Sequence, residues 1–199
     1  EDVNNDGQLD SKDMKFMGYI RPDKVGGIVN SFKYKGLTVR VVMDWAMGHV
    51  IDNGFKGQIM GSSRNNNNAI KDAMTNSWQS ANDGTKYPKY TVQSDYDYQY
   101  RNHMRWDNQI GSSESGSTNN SLYFSKGDYL AFREVSLSYM LPSTWVRKIR
   151  LSGVEVFAGA YNIGYIKKYD GMFPEIYTGV DYGVYPRPRQ YNMGVKINF

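Results

Sequence analysis

Apolar and polar residues alternate with period two along five stretches of the chain, the spacing of strands that show one face to each of two environments. In 25–34, Ile28, Phe32 and Tyr34 fall on one face and Val29, Ser31 and Lys33 on the other, with Asn30 interrupting the apolar side. In 37–47, Leu37, Val39, Val41, Met43 and Trp45 alternate with Thr38, Arg40, Val42, Asp44 and Ala46. Lys35-Gly36 between these stretches is a tight-turn signature. The third stretch, 129–141, sets Val135, Leu137, Tyr139 and Leu141 against Glu134, Ser136, Ser138 and Met140, and Pro142 ends it. The fourth, 153–163, alternates more weakly, with Val154, Val156, Ala158 and Ala160 opposite Glu155 and Phe157. The fifth, 189–199, sets Tyr191, Met193, Val195, Ile197 and Phe199 against Gln190, Asn192, Gly194, Lys196 and Asn198.

Strands carrying Arg40 and Asp44 opposite an unbroken apolar face suit a sheet with lipid on one side and a wet lumen on the other. A terminal strand ending on Phe199 fits the closing strand of an outer-membrane barrel, and the competing reading of that strand is the last one of a soluble antiparallel sheet. The connections divide in the same way. Those at 35–36 and 142–152 are short, and those at about 48–128 and 164–188 are long, as barrels have short periplasmic turns and long extracellular loops. An 80-residue connection would count against strand assignments in a soluble domain. Within the longer loop, Ile70, Ala73, Met74 and Ser77 have helical spacing, which predicts a helix over 68–79 with Asn68 as N-cap. Residues 111–120 are Ser/Gly/Asn-rich and read as a loop.

Composition agrees with this picture. The 199 residues include 17 Tyr, 4 Trp and 20 Gly, yet the mean hydropathy is −0.65. Low mean hydropathy is expected where only alternate strand residues meet lipid. No run approaches the roughly 18 apolar residues of a spanning helix, which says nothing about a spanning barrel. The absence of Cys excludes disulfides, thiolate zinc sites and a Cys nucleophile. The net charge of +4 is dispersed, and no basic block marks a nucleic-acid surface. His49 and His103 lie in no ligand-like spacing. Ser, His and Asp occur in no catalytic motif, and Glu134 and Glu155 read as lumen charges, so no enzyme activity is expected. No signal peptide is recognisable, and the chain, opening at Glu1 within a loop motif, reads as the C-terminal piece of a longer protein.

One motif has ligand chemistry. Asp2, Asn4 and Asp6 occupy positions 1, 3 and 5 of a calcium-type loop, Gly7 the sixth, and Asp10 and Asp13 the ninth and twelfth, while the Gln8 carbonyl is placed to add an oxygen. The expectation is a structural calcium ion, and the alternative is a metal-free cluster of Asx turns. Loop aromatics, namely Tyr87, Tyr90, Tyr96, Tyr98, Tyr100 and Trp106, then Tyr177, Tyr182 and Tyr185, suit protein or sugar contacts or packing of the loops on themselves.

Several motifs together resemble one family. The Asp2–Asp13 loop, Gly26-Gly27, the Tyr34-Lys35-Gly36 turn, Trp78, Asn82, and Lys86-Tyr87-Pro88-Lys89 are similar to the late barrel region of SusC/RagA-type TonB-dependent outer-membrane transporters. So are Gly127-Asp128-Tyr129-Leu130 followed by 135–142, Asn162-Ile163, Tyr169-Asp170-Gly171 with Pro174-Glu175, and Tyr185-Pro186-Arg187-Pro188-Arg189 before the last strand. Ala131-Phe132-Arg133-Glu134 departs from the family's usual pattern, and Met193 stands where a polar residue is common.

The resemblance implies an all-β, transmembrane antiparallel β-barrel of about 22 strands with a plugged lumen, this chain supplying the last five strands. On that reading, residues 1–24 are an extracellular loop and 25–199 the C-terminal part of the barrel. The resemblance further implies TonB-dependent import of oligosaccharides or peptides across the outer membrane, with a SusD-like surface lipoprotein, and contact with the TonB complex through upstream sequence. The residues alone leave two other readings open: a passive or structural barrel, and a soluble calcium-stabilised glycan-binding β-domain.

Overall fold

Each of the five alternating stretches forms a strand of a single antiparallel sheet in the computed structural model, which describes residues 3–5, 12, 14–59, 62–63, 70–80, 83–85, 91–92 and 121–199. Among the described residues the strands in chain order are β1 (Lys24–Tyr34), β2 (Leu37–Met47), β3 (Val50–Asp52), β4 (Ser62–Ser63), β5 (Thr91–Val92), β6 (Phe124–Lys126), β7 (Tyr129–Met140), β8 (Gly153–Lys167) and β9 (Gln190–Asn198). The large sheet has the order β1-β2-β7-β8-β9, every neighbouring pair antiparallel. The chain divides into two compact units. One is this sheet, from 22–49, 127–169 and 185–199, and the other gathers 1–21, 50–126 and 170–184.

In the sheet unit, β1 and β2 are joined by a two-residue loop. Lys35 and Gly36 have φ of 46° and 87°, and positive φ at both central positions is what a type I′ turn requires. Pairing Tyr34 with Leu37 fixes the register, so Ile28, Phe32 and Tyr34 share a face with Met43, Val39 and Leu37. The same face continues through Tyr139, Leu137 and Val135 of β7, Val156, Ala158 and Ala160 of β8, and Val195, Met193 and Tyr191 of β9. Asn30, opposite Val41, is on this face, as the alternation indicates.

The face is uncovered. Leu137, Val195 and Met193 are 47%, 58% and 87% exposed, and Val39, Val41 and Met43 are half-buried between neighbouring strands. A five-stranded sheet that leaves one whole apolar face bare is not the half of a soluble sandwich.

β8 extends beyond the expected 153–163 to Lys167. Backbone pairing of Tyr165, Ile166 and Lys167 with Ala131, Leu130 and Tyr129 carries the strand past the point where side-chain alternation stops signalling it. The connection after β7 is short in sequence but not a simple turn. It holds α3 (Ser143–Val146) and a 3₁₀ turn (Arg147–Ile149), ended by Arg150 at φ 59°.

In the other unit, β3 pairs antiparallel with β6, and β4 lies parallel to β5. Ile51, Tyr123, Phe173, Pro174 and Ile176 are buried apolar residues of this unit among those described. The Asp52 amide donates to the Gly179 carbonyl at 2.9 Å and the Asp181 amide to the Asp52 carbonyl at 2.8 Å, so residues 179–181 add a bridge beside β3. Asn53 caps α1 (Gly54–Ile59) by accepting from the Lys56 amide at 2.9 Å.

The helix expected over 68–79 is α2 (Lys71–Thr75), five residues long. Its N-cap position is Ile70, with no side-chain hydrogen bond, in place of the expected Asn68, which lies outside the described residues. Asn76 ends the helix outside helical geometry, so the apolar spacing at Ser77 does not extend it.

Gly127 is a packing requirement. A Cβ there would overlap the His49 ring, and the Gly127 amide donates to the His49 carbonyl at 2.8 Å. Gly127→Ala should therefore cost about 1–3 kcal/mol through overpacking. Thermal loss of heat-modifiable gel mobility in the full-length protein measures this, and an unchanged midpoint would show that the ring yields freely.

Candidate functional site

The face opposite the apolar one is a polar wall, and a β-bulge shapes its centre. Between β2 and β7 the register shifts, with Val42 opposite Glu134 and Met43 opposite Phe132, so Arg133 is the extra residue. Strict alternation would send Arg133 and Glu134 to opposite faces. The bulge turns both toward the polar side and returns Phe132 and Leu130 to the apolar side with Met43 and Trp45.

Two ion pairs of opposite sense result. Arg133 Nε donates to both Asp44 oxygens at 2.9 Å, and Nη2 lies 2.9 Å from Asp44 Oδ2. Its guanidinium is 5.8 Å from the Tyr165 ring centroid, and Nη1 donates to the Tyr165 hydroxyl at 3.4 Å. Tyr165 in turn meets Tyr129 edge-to-face at 5.9 Å. One residue further on, Glu134 faces Arg40 of β2 with Nε–Oε2 at 3.5 Å and accepts from the Ser136 hydroxyl at 2.8 Å.

Towards the short-connection end the wall forms an open depression of about 260 Å³, lined among others by Ser31, Thr38, Arg40, Ser136, Phe157 and Tyr161. Hydroxyls, one guanidinium and two aromatic rings equip such a surface to hold water or a polar solute.

At the long-connection end a polar clasp ties β2 to β7 and β8. The Gly48 amide donates to Asp128 Oδ1 at 2.8 Å, Lys168 Nζ sits 3.1 Å from Oδ2, and the Lys168 amide donates to the Asp128 carbonyl at 3.0 Å. Burial pushes the Asp128 carboxyl up, but the Gly48 amide, the bond and charge of Lys168, and His49 outweigh it and hold the group below its ordinary range. His49 is 6% exposed, and its Nδ1 meets no hydrogen-bond partner among the described residues. Burial lowers its pKa against the opposing pull of Asp128.

In the other unit, Asp170 is a second junction. Its Oδ1 accepts from Ser125 Oγ at 2.9 Å and Asn53 Nδ2 at 3.3 Å, and its Oδ2 pairs with Lys56 Nζ at 2.6 Å. Burial raises the Asp170 pKa, and these partners more than offset it, so the net shift is downward. One carboxylate thus links the segments after β3, in β6 and after β8. Asp83 organises a tight loop by accepting from the amides of Gln79, Ser80 and Thr85. The Gln79 bond is the main cause that lowers its pKa to about 2.

Of the expected metal ligands, Asp2, Asp6, Gln8, Asp10 and Asp13 lie outside the described residues, and Asn4 alone is within them. Among the described residues no cluster of His, Asp and Glu has metal-binding geometry. Tyr177, Tyr182 and Tyr185 are exposed, at 80%, 60% and 85%. Trp78 is 43% exposed. His103, Asn82, 86–90, Tyr96, Tyr98, Tyr100, Trp106 and 111–120 lie outside the described residues. The alternation picked out Arg40, Asp44 and Glu134 as polar-face residues. It missed Arg133, whose only signal was the break in alternation at 131–134.

Comparison with known proteins places this geometry. No protein-family model matches the chain. It is 25% identical over 210 residues to the TonB-dependent receptor P3 of Formosa agariphila, an alignment covering all of this chain and 18% of that protein. It is 26% identical over 91 residues to the TonB-dependent receptor SusC of Bacteroides thetaiotaomicron, covering 45% of this chain and 9% of the relative. The RagAB peptide importer in its closed-closed state has the same fold, with a TM-score of 0.66 at 22% identity over 93% of this chain and 18% of the importer chain. Its open-open state gives 0.62 at 21% identity over 90% of this chain. The chain therefore spans under a fifth of the length of these relatives.

The Asp44–Arg133 pair should show a coupling of about 0.5–1 kcal/mol in a double-mutant cycle with Asp44→Ala and Arg133→Ala, limited by the 40% exposure of the Asp44 side chain. High salt should reduce it. Additive single-mutant effects on unfolding would mean that the bulge, rather than the pair, organises the wall.

Proposed function

We propose that this chain is the C-terminal barrel region of a SusC/RagA-type TonB-dependent transporter and serves active import across the outer membrane. One observation carries the proposal: a five-stranded antiparallel sheet is bare and apolar on one face and lined with crossed ion pairs and hydroxyls on the other. Lipid accepts the first face without cost, and a wet lumen the second. The likeness to TonB-dependent receptors along the whole chain supports the same reading.

In that setting the chain does no bond-making chemistry. Its polar wall lines the passage, and coupling to the TonB complex falls to sequence upstream. The RagAB importer is named for peptides. For this protein the solute class is an oligosaccharide or a peptide, both of which a wall of hydroxyls, charges and rings can hold. The partner is a SusD-like lipoprotein, met by the two long connections, where exposed Tyr177 and Tyr182 supply large amphipathic contact area. A contact that opens and closes during transport must be partly polar.

Val41 and Val42 are consecutive but face opposite sides, Val41 with Val135 and Val42 with Glu134. Arg at Val41 should cost about 2–4 kcal/mol of barrel stability, and Arg at Val42 much less. Equal costs in urea unfolding of the full-length protein in lipid would refute a lipid-facing side.

Removing residues 64–120 should reduce co-purification of the lipoprotein while leaving a heat-modifiable barrel, because loops tolerate deletion better than strands. Undiminished partner recovery would put the contact elsewhere on the full-length protein.

A further inference from the structure

Basic and aromatic residues crowd the end of the sheet that carries the short connections. Segment 141–152 contains Arg147, Lys148 and Arg150 and no acidic residue. All three cations are exposed, and none meets a carboxylate among the described residues. Beside them Trp145 and Ile149 are 62% and 63% exposed although both are large and apolar.

The segment is held firmly. Val146 is buried at 2%, the Trp145 amide donates to the Pro142 carbonyl at 2.9 Å, and the Ser152 amide donates to the Asn198 carbonyl at 2.8 Å. With Val146 packed inward, Trp145 and Ile149, four residues apart, project from the same anchored turn.

The neighbouring turn has the same character. The Met140 amide donates to the Gly36 carbonyl at 2.8 Å, which places Tyr34 and Lys35 next to this segment, and Lys35 Nζ lies 5.2 Å from the Tyr34 ring centroid. Glu155, near the start of β8, stands opposite Lys196 in the β8–β9 register.

We propose that this rim binds the headgroup of an anionic phospholipid in the leaflet at the short-connection end. Arg147, Lys148 and Arg150 meet the phosphate, and Trp145 and Ile149 enter the acyl boundary. The proposal rests on the membrane reading above and adds to it a site and a lipid class. Cations alone would suit any anion. Two exposed apolar side chains in the same short segment require a ligand that is anionic at one end and apolar at the other. An acidic protein surface would satisfy the cations but leave Trp145 and Ile149 without a function at the edge of a lipid-facing sheet.

The test uses the full-length protein, extracted from membranes, delipidated, and exposed to an equal mixture of phosphatidylglycerol and phosphatidylcholine before native mass spectrometry. The wild type should retain phosphatidylglycerol preferentially. Arg147→Gln, Lys148→Gln and Arg150→Gln combined should lower that preference by about tenfold or more, since each cation near an anionic surface contributes several-fold. Trp145→Ala with Ile149→Ser should weaken retention of both lipids.

Heat-modifiable mobility on a gel confirms that each variant still forms the barrel. With the barrel intact, an unchanged preference in the triple variant overturns the proposal and leaves the transport reading standing. Displacement of the lipid by millimolar inorganic phosphate overturns it too, since the site would then be an ion site. A wild type that is not a heat-modifiable membrane protein overturns both readings.

Discussion

Backbone hydrogen bonding is the constraint on which the rest of this structure depends. In hydrocarbon no water is present to satisfy an amide or carbonyl, so a spanning strand must pair along its whole length with its neighbours. The ladders here are correspondingly long: β2 pairs with β7 from Leu37 to Ala46, and β7 with β8 from Tyr129 to Met140, each with one register shift. Once the backbone is satisfied sideways, each side chain is free to answer to one solvent. The apolar parity is suited to lipid, and the exposed polar parity can carry charge without a desolvation penalty. This is why a chain with a mean hydropathy of −0.65 can still present a continuous apolar face.

The ladder gives way around Arg133, where the register shifts both between β2 and β7 and between β7 and β8, and the polar wall gains from it. Two adjacent residues of opposite charge reach the same face, and each finds its complement on β2, Arg133 with Asp44 and Glu134 with Arg40. Crossing the pairs keeps the wall near neutral while leaving four charged groups to orient water or solute. The parity change also rescues the apolar face. Without it Phe132 and Leu130 would point into the polar side, and the apolar stripe from Val135 upward would break.

The polar junctions beyond the sheet share a logic. Asp128 joins the ends of three strands, and Asp170 joins three loop segments; each carboxylate is kept ionised by cations and donors that outweigh its burial. A carboxylate accepts several hydrogen bonds at once, so one residue can tie together segments far apart in sequence. Both lie in short motifs, Gly127-Asp128 and Tyr169-Asp170-Gly171, that carried the family resemblance. Packing and hydrogen bonding give those motifs a structural reason: Gly127 makes room for His49, and Asp170 fixes Asn53, Lys56 and Ser125.

The strands and their two faces were legible from sequence alone, because period-two alternation is a local property that the pleat converts directly into sidedness. β2 was read to its exposed end at Met47, and the turn at Lys35-Gly36 was legible because few residue pairs accept positive φ twice. Where alternation faded, so did the reading. β8 runs four residues beyond its apparent end at 163, held by pairing to β7 rather than by pattern. The loop helix covers only 71–75, with no capping side chain at Ile70 and Asn76 outside helical geometry. The bulge at Arg133, the burial of His49, and the gathering of Asn53, Lys56, Ser125 and Asp170 were decided only by tertiary structure. Each depends on residues 30 to 120 positions apart coming into register, as with the |i−j| of 117 between Asn53 and Asp170. No local pattern encodes such a separation, since only long-range pairing and packing bring those positions together.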